Sequence, residues 1–177
     1  MKKPVLTIEQ TINSQALDKV VKQLGKKALY VGIASGEDGD ERTDGAPPNS
    51  LLGYVHEFGS PSKNIPARPF LVPAVEGFRK EISKGMGKAM QMALDGDESG
   101  CDEALERTAI RTASEVKKYM TEADFEPLAH RTIINRQRNR MTKSQRKEEI
   151  ELDTSSIKPL IDTGQLRDSI QGYFIKE

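Results

Sequence analysis

Short apolar runs and longer stripes of helical period alternate along this chain, separated by dense polar breaks. Val5–Ile8 is rich in β-branched residues and predicts a strand. From Ser14 to Leu24, the residues Leu17, Val20, Val21 and Leu24 fall at helical spacing, and Gly25 is a fitting stop. Ala28–Ala34 predicts a second strand, so the chain opens as strand, helix, strand. Residues 35–49 are dense in Gly, Pro and acids and predict a solvated, mobile loop. Leu51–Phe58 predicts a short helix capped by Ser50. Gly59–Pro69 holds three prolines, which fix extended turns and exclude regular structure.

In the second half, Phe70–Leu94 predicts one helix, on which Phe78, Ile82, Met86, Met90 and Leu94 recur four apart. Gly85 and Gly87 weaken it by roughly 1 kcal/mol each relative to Ala, which marks them as points of close packing with another chain. Residues 95–100 break the pattern. Ser99 then caps a helix expected over Asp102–Met120, with the stripe Leu105, Ala109, Thr112, Val116 and Met120. Its small residues suit close helix packing better than a deep core. Asp162–Ile170 has a capping-box pattern, with Asp162 as N-cap and Gln165 at the third helical position. Gly172 is expected to end that helix and Tyr173–Ile175 to form an edge strand. The expected fold is a single α/β (α+β) domain over residues 1–177. It has a small mixed or antiparallel sheet, two longer helices and long irregular loops.

Composition sharpens the oligomer expectation. Apolar residues are 36% and charged residues 31% of 177, which is lean for a monomeric globule and fits a chain that packs against neighbours. Lys and Arg number 27, as do Asp and Glu, so no net field steers the whole molecule to nucleic acid or membrane. The distribution is uneven. His130–Lys147 carries seven Arg or Lys and no acid, and lies within a stretch, residues 125–158, expected to be mobile or ordered by a partner. The one cysteine, Cys101, excludes an intrachain disulfide and a Cys-based zinc cluster. No apolar run reaches membrane-spanning length, and Met1-Lys2-Lys3-Pro4 does not open a signal peptide. Synthesis and use in a cytoplasm, or in something assembled there, are expected.

Catalytic patterns are lacking. His56 and His130 are far apart, and His56-Glu57 lacks the second His of a zinc-protease helix; a polar pair at a helix end is the plainer reading. Gly32, Gly36 and Gly39 lack phosphate-loop spacing and sit among acids. Asp38 and Asp40 lack EF-hand spacing and read as solvated loop charge rather than a calcium site. The basic residues Arg131, Arg136, Arg138, Arg140, Lys143, Arg146 and Lys147 have two readings. They neutralise DNA phosphates without sequence preference, or they pair with the acid-rich stretch Asp95–Glu106 of a neighbour. Aromatic residues are absent from the run, so base stacking is not expected.

Two stretches carry a family resemblance. The first is Tyr54-Val55-His56-Glu57-Phe58-Gly59-Ser60, followed closely by Ile65-Pro66-Ala67-Arg68-Pro69-Phe70-Leu71-Val72-Pro73. The second is Leu160–Ile170, which contains Asp162-Thr163-Gly164-Gln165-Leu166-Arg167. In this order they resemble the Mu-like phage virion morphogenesis proteins, relatives of the neck and tail-completion (head–tail joining) proteins of long-tailed phages. The matching residues are roughly a sixth of the chain, and residues 95–156 match no part of the pattern. The resemblance implies a virion protein without cofactor, working as a ring of identical subunits. Its partners would be head-completion or connector proteins and tail-tube proteins.

Elementary chemistry suits these motifs to assembly. Pro66 and Pro69 stiffen an arm on which Ile65, Phe70 and Leu71 are apolar anchors, and Arg68 is placed to make a bidentate bond to a carboxylate. The alternative is that Phe70 and Leu71 dock the following helix into the protomer's own core. A 177-residue globule has a diameter of roughly 40 Å, so a hexamer, the favoured ring, leaves a lumen of about 40 Å that passes duplex DNA. The rival expectations are a minor tail or capsid-accessory protein elsewhere on the particle and a nucleic-acid-binding module built on residues 130–147. An enzyme is not expected.

Overall fold

The computed structural model describes residues 14–34, 42, 45–142 and 157–176. The strand expected at Val5–Ile8, the Asp38 and Asp40 pair, most of the 35–49 loop, and Lys143, Arg146 and Lys147 lie outside the described residues, as does the side chain of Arg140.

The fold is mixed α+β: a two-stranded antiparallel sheet laid on a helical body. Helix α1 spans Ser14–Leu24, strand β1 Lys27–Gly32, helix α2 Asn49–Phe58, α3 Leu71–Gly77, α4 Arg79–Leu94, α5 Glu98–Glu122, α6 His130–Arg140 and α7 Gln165–Asp168; strand β2 is Gln171–Lys176. The register runs from Lys27 opposite Lys176 to Gly32 opposite Gln171, so the two ends of the described chain close the sheet. Alternation sends Leu29, Val31 and Phe174 toward the helices, while Tyr30 and Tyr173 stack on the outer face with ring centroids 5.6 Å apart. Gly172 lies inside β2 and does not terminate a helix. A Cβ there would stand 2.1 Å from the carbonyl oxygen of Ala109, so the missing side chain lets β2 rest directly on α5.

Helix α5 is the spine, with 25 residues and a length of about 37 Å. The expected stripe Leu105, Ala109, Thr112, Val116 and Met120 is buried throughout. Its first half joins Val20, Ala89 and Ala93 in one cluster; its second half joins Phe70, Ala74, Leu160, Leu166 and Ile170 in another. The buried hydroxyls of Thr108 and Thr112 donate to the carbonyls of Ala104 and Thr108, so their burial leaves no donor unsatisfied. The helix starts earlier than expected. Asp97, not Ser99, is the N-cap, its Oδ1 accepting the N–H of Gly100 at 2.8 Å.

The single helix expected over Phe70–Leu94 is two helices. Phe78, at φ −90° and ψ 2°, ends α3 and begins α4. The large apolar residues that recur four apart do not form the buried face: Met86, Met90 and Leu94 are 50%, 42% and 46% exposed. The buried face is Ala89 and Ala93, extended by Gly85, where a Cβ would stand 2.1 Å from Thr108 Oγ1. The close approach of α4 to α5 needs small residues at the line of contact and pushes the large ones aside. Gly85 thus serves packing within the protomer and not, as expected, against another chain.

At the far end of the sheet Lys27 lies 2.5 Å from Asp102, with its side chain 5% exposed, and Lys176 bonds the same carboxylate. Burial opposes ionisation of Asp102, but its hydrogen bonds to Lys176 and Lys27 win and hold the carboxyl below its usual range. Both strands are thereby tied to the first turns of α5.

Candidate functional site: two motif stretches packed as one unit

Helix α2 begins after Pro48 and has no side-chain cap, because Ser50 lies inside the helix instead of ahead of it. Its buried face is Asn49, Gly53 and Glu57. Glu57, expected to be half of a polar pair at a helix end, is 8% exposed and has a definite task. Its Oε2 accepts the N–H groups of Phe70 and Leu71 at 2.8 Å, and Oε1 accepts that of Val72 at 3.0 Å. These donors open α3, where the helix lacks partners of its own and its dipole favours an anion. Glu57 is thus a cap delivered from a different helix.

The loop between α2 and α3 is closed twice. Gly59 sits at φ 76°, and a Cβ would stand 2.9 Å from Ala67 N, so glycine is required by conformation and by space. Ser60 and Ile65 exchange backbone hydrogen bonds of 2.9 and 3.0 Å around a 3-10 turn at Pro61–Lys63. The N–H of Arg68 donates to the carbonyl of His56 at 2.6 Å. Pro66, Pro69 and Phe58 remain exposed and Ile65 half-buried.

Arg68 does not pair with a carboxylate in the manner expected. It is 4% exposed, its Nε donates to the carbonyl of Glu126 at 2.6 Å and its Nη2 to that of Pro127 at 2.8 Å. The planar fork fits two successive carbonyls, and it pins the connection after α5. Phe70 is 2% exposed, packed with Leu166 and Ile170, so its ring belongs to the protomer's core; Leu71 is half-buried beside it.

The second stretch meets the first here. Gly164, at φ 85°, and not Asp162, stands at the N-cap of α7, which has no side-chain cap bond; Thr163 Oγ1 accepts from Gln165 Nε2 at 3.2 Å. Asp162 instead faces Arg136 Nε of α6 at 3.5 Å. Arg136 also donates to the carbonyls of Lys158, Pro159 and Ile161. It therefore anchors α6 to the α7 approach and is not turned to DNA as expected. Arg131 and Arg138 of the same helix are exposed. Within the stretch 125–158, expected to be mobile or ordered by a partner, residues His130–Arg140 form a helix that Arg136 ties to the α7 approach, and residues 143–156 lie outside the described residues.

His56 lies within electrostatic reach of both Arg68 and Arg136. Its Nδ1 is buried with no hydrogen-bond partner among the described residues. Burial, then the charges of Arg68 and Arg136, lower its pKa from 6.5 to about 4, so the imidazole is neutral at neutral pH. Among the described residues no group of three His, Cys, Asp or Glu is arranged to hold a metal ion. No helix among the described residues is long and apolar enough to cross a membrane.

What the unit presents outward is apolar. A pocket of about 200 Å³ opens between α2 and α3, lined by Ile33, Gly53, Phe58, Phe70, Leu71 and Ile170. Around it Leu51, Tyr54, Phe58 and Val72 are between 49% and 63% exposed, and the Tyr54 and Phe58 rings meet at 4.9 Å. Sequence reasoning missed Leu51, Tyr54 and Val72. Their signal was present, since Leu51, Tyr54 and Phe58 fall on one stripe of α2 beside the buried Gly53 and Glu57.

No family model matches the chain. No solved structure matches it. A segment of 43 residues is 46% identical to an uncharacterized protein of Methanocaldococcus jannaschii, spanning 24% of this chain and 32% of that protein. The chain thus matches about a third of that relative's length.

Proposed function

We propose that this chain is a structural virion protein of a tailed phage, forming a ring of identical subunits that completes the tail or joins it to the head. The observation that carries the reading is the convergence of the two motif stretches. Far apart in sequence, they share one core through Phe70, Leu166 and Ile170. That unit turns exposed apolar and aromatic side chains outward, in the manner of an interface centre. Three of its charged residues, Glu57, Arg68 and Arg136, are occupied with backbone groups, which favours a scaffold over a catalyst. The partners are further copies of the chain, a head-completion or connector protein and the tail tube. The particle's neck or tail end is the place of action.

Electron microscopy of lysates from a phage or prophage lacking this gene tests the reading. Full heads beside separate tails, or tails of abnormal length, are expected; normal joined particles overturn it. A second reading, contact with DNA in the lumen, is favoured by the acid-free α6 with exposed Arg131 and Arg138. It requires DNA affinity that falls steeply with salt.

A further inference from the structure

We propose that two copies of this chain join head to tail. The acidic α4–α5 corner and methionine ridge of one protomer meet the α2–α3 groove and basic α6 of the next. The inference deepens the proposed ring and rests on that reading for closure.

The first surface lies at the start of α5. Met86, Met90 and Leu94 form a ridge along α4 that the protomer leaves 42–50% exposed. Within it Gly87 has nothing within 4 Å of where a Cβ would stand, so no contact among the described residues accounts for a helix-weakening glycine there. A neighbour resting on the ridge does. Methionine adapts to an apolar partner better than a branched side chain does. The ridge runs straight into Asp95–Glu106, which holds six acids and no Lys or Arg. Lys27 and Lys176 offset Asp102, Lys176 also lies 3.8 Å from Glu98, and Glu103 has Arg107 at 3.7 Å; three cations against six acids leave the corner net negative.

The second surface is carried by the motif unit, on α2, α3 and α6. It combines the apolar pocket, rimmed by Tyr54, Phe58 and Val72, with α6, which Arg136 ties to the α7 approach of the same unit. Helix α6 carries four arginines and no acid. Among the described residues the two surfaces thus each join exposed apolar side chains to charge, negative on one and positive on the other. The chain as a whole is neutral, so copies do not repel, and surfaces of opposite charge attract. A contact between two different patches is heterologous and repeats around a ring. Nucleic acid on α6 would leave the acidic corner and both apolar surfaces uncovered, and for that reason the partner assigned is a second copy.

Sedimentation velocity of the full chain across a concentration series, at low and high salt, tests the contact. Glu103→Lys with Glu106→Lys, and separately Arg131→Glu with Arg138→Glu, should each weaken self-association at least about tenfold, and salt should act in the same direction. Combining all four substitutions should restore most of the loss, a result that misfolding cannot produce. Met90→Asp should weaken association with the helical circular dichroism unchanged. A chain monomeric at every concentration, or a four-fold variant no better than either pair, overturns the contact. So does loss of DNA binding in the arginine variant with self-association intact, which assigns α6 to nucleic acid. Failure here beside arrested particles in the deletion lysate overturns only the docking geometry. A charge-swappable oligomer beside normal particles overturns only the phage assignment.

Discussion

The two halves of α5 are held by different physics. Its first half packs through small residues, with Ala89, Ala93 and Gly85 admitting Thr108, and Gly172 admitting the Ala109 carbonyl. Its second half packs through larger side chains, Phe70, Met120, Leu166 and Ile170. That end is further held by Glu57, Arg68 and Arg136, each of which reaches across the fold to backbone groups. The first half needs space kept empty; the second needs polar atoms kept satisfied. Substitution should therefore break the first by adding atoms and the second by removing them.

The largest effect is expected at Glu57. Glu57→Ala leaves three N–H groups at the start of α3 without their acceptor, and should cost about 3–5 kcal/mol of unfolding free energy in urea. Glu57→Gln keeps one acceptor oxygen and should recover roughly half of that. Equal losses for both variants would mean that the charge at the α3 terminus, and not the hydrogen bonds, holds the unit. At the other end, Gly172→Ala places a methyl 2.1 Å from the Ala109 carbonyl and should cost about 3 kcal/mol. Gly87→Ala, with open space around it, should leave monomer stability unchanged or raise it by up to about 1 kcal/mol. A loss of monomer stability at Gly87 would erase the contrast between packed and open glycines on α4.

Much of the first half was legible in the sequence, because its determinants are local. Helix α1 takes the expected bounds Ser14–Leu24, and the α5 stripe points inward as its period requires. The α4 stripe misled for a physical reason. Large residues four apart define a possible core face, but the α5 contact was decided by the closest approach that Gly85 and Ala89 permit. Caps failed in the same direction. Ser50, Ser99 and Asp162 match local capping patterns, whereas the carboxylate that caps α3 stands 14 residues before Leu71, on another helix. Likewise Arg68 finds its acceptors 58 and 59 residues away, and β1 finds β2 across nearly the whole described chain. The motif residues were identifiable, but not their tasks, because each task depends on a group brought close only by the fold.

Acid should loosen the motif end in a window set by His56. Its folded pKa, about 4, lies below its unfolded value of 6.5, so the unfolded state binds the extra proton first. Stability is then highest above pH 6.5 and falls as the pH drops toward 4, by up to roughly 3 kcal/mol at the bottom of that range. His56→Gln should flatten the slope of unfolding free energy between those limits. An unchanged slope would move the acid response to the carboxylates. Asp102, whose pKa is depressed, contributes stability above its unfolded pKa that is lost only at still lower pH.

The smallest expected effect separates the two caps considered for α5. Asp97 accepts the Gly100 N–H at 2.8 Å and stands before the first helical residue, Glu98. Asp97→Ala should therefore cost about 1 kcal/mol, and Asp97→Asn much less, since the amide oxygen can still accept the bond. Ser99 lies one residue inside the helix, where an alanine has the better intrinsic propensity, so Ser99→Ala should be neutral or slightly stabilising. Thermal unfolding of the three variants at one pH checks the order. If Ser99→Ala is the costlier change, α5 begins nearer Asp102, and Glu98 loses its helical geometry. The acidic corner would then be a loop without the fixed spacing that a rigid complementary surface requires.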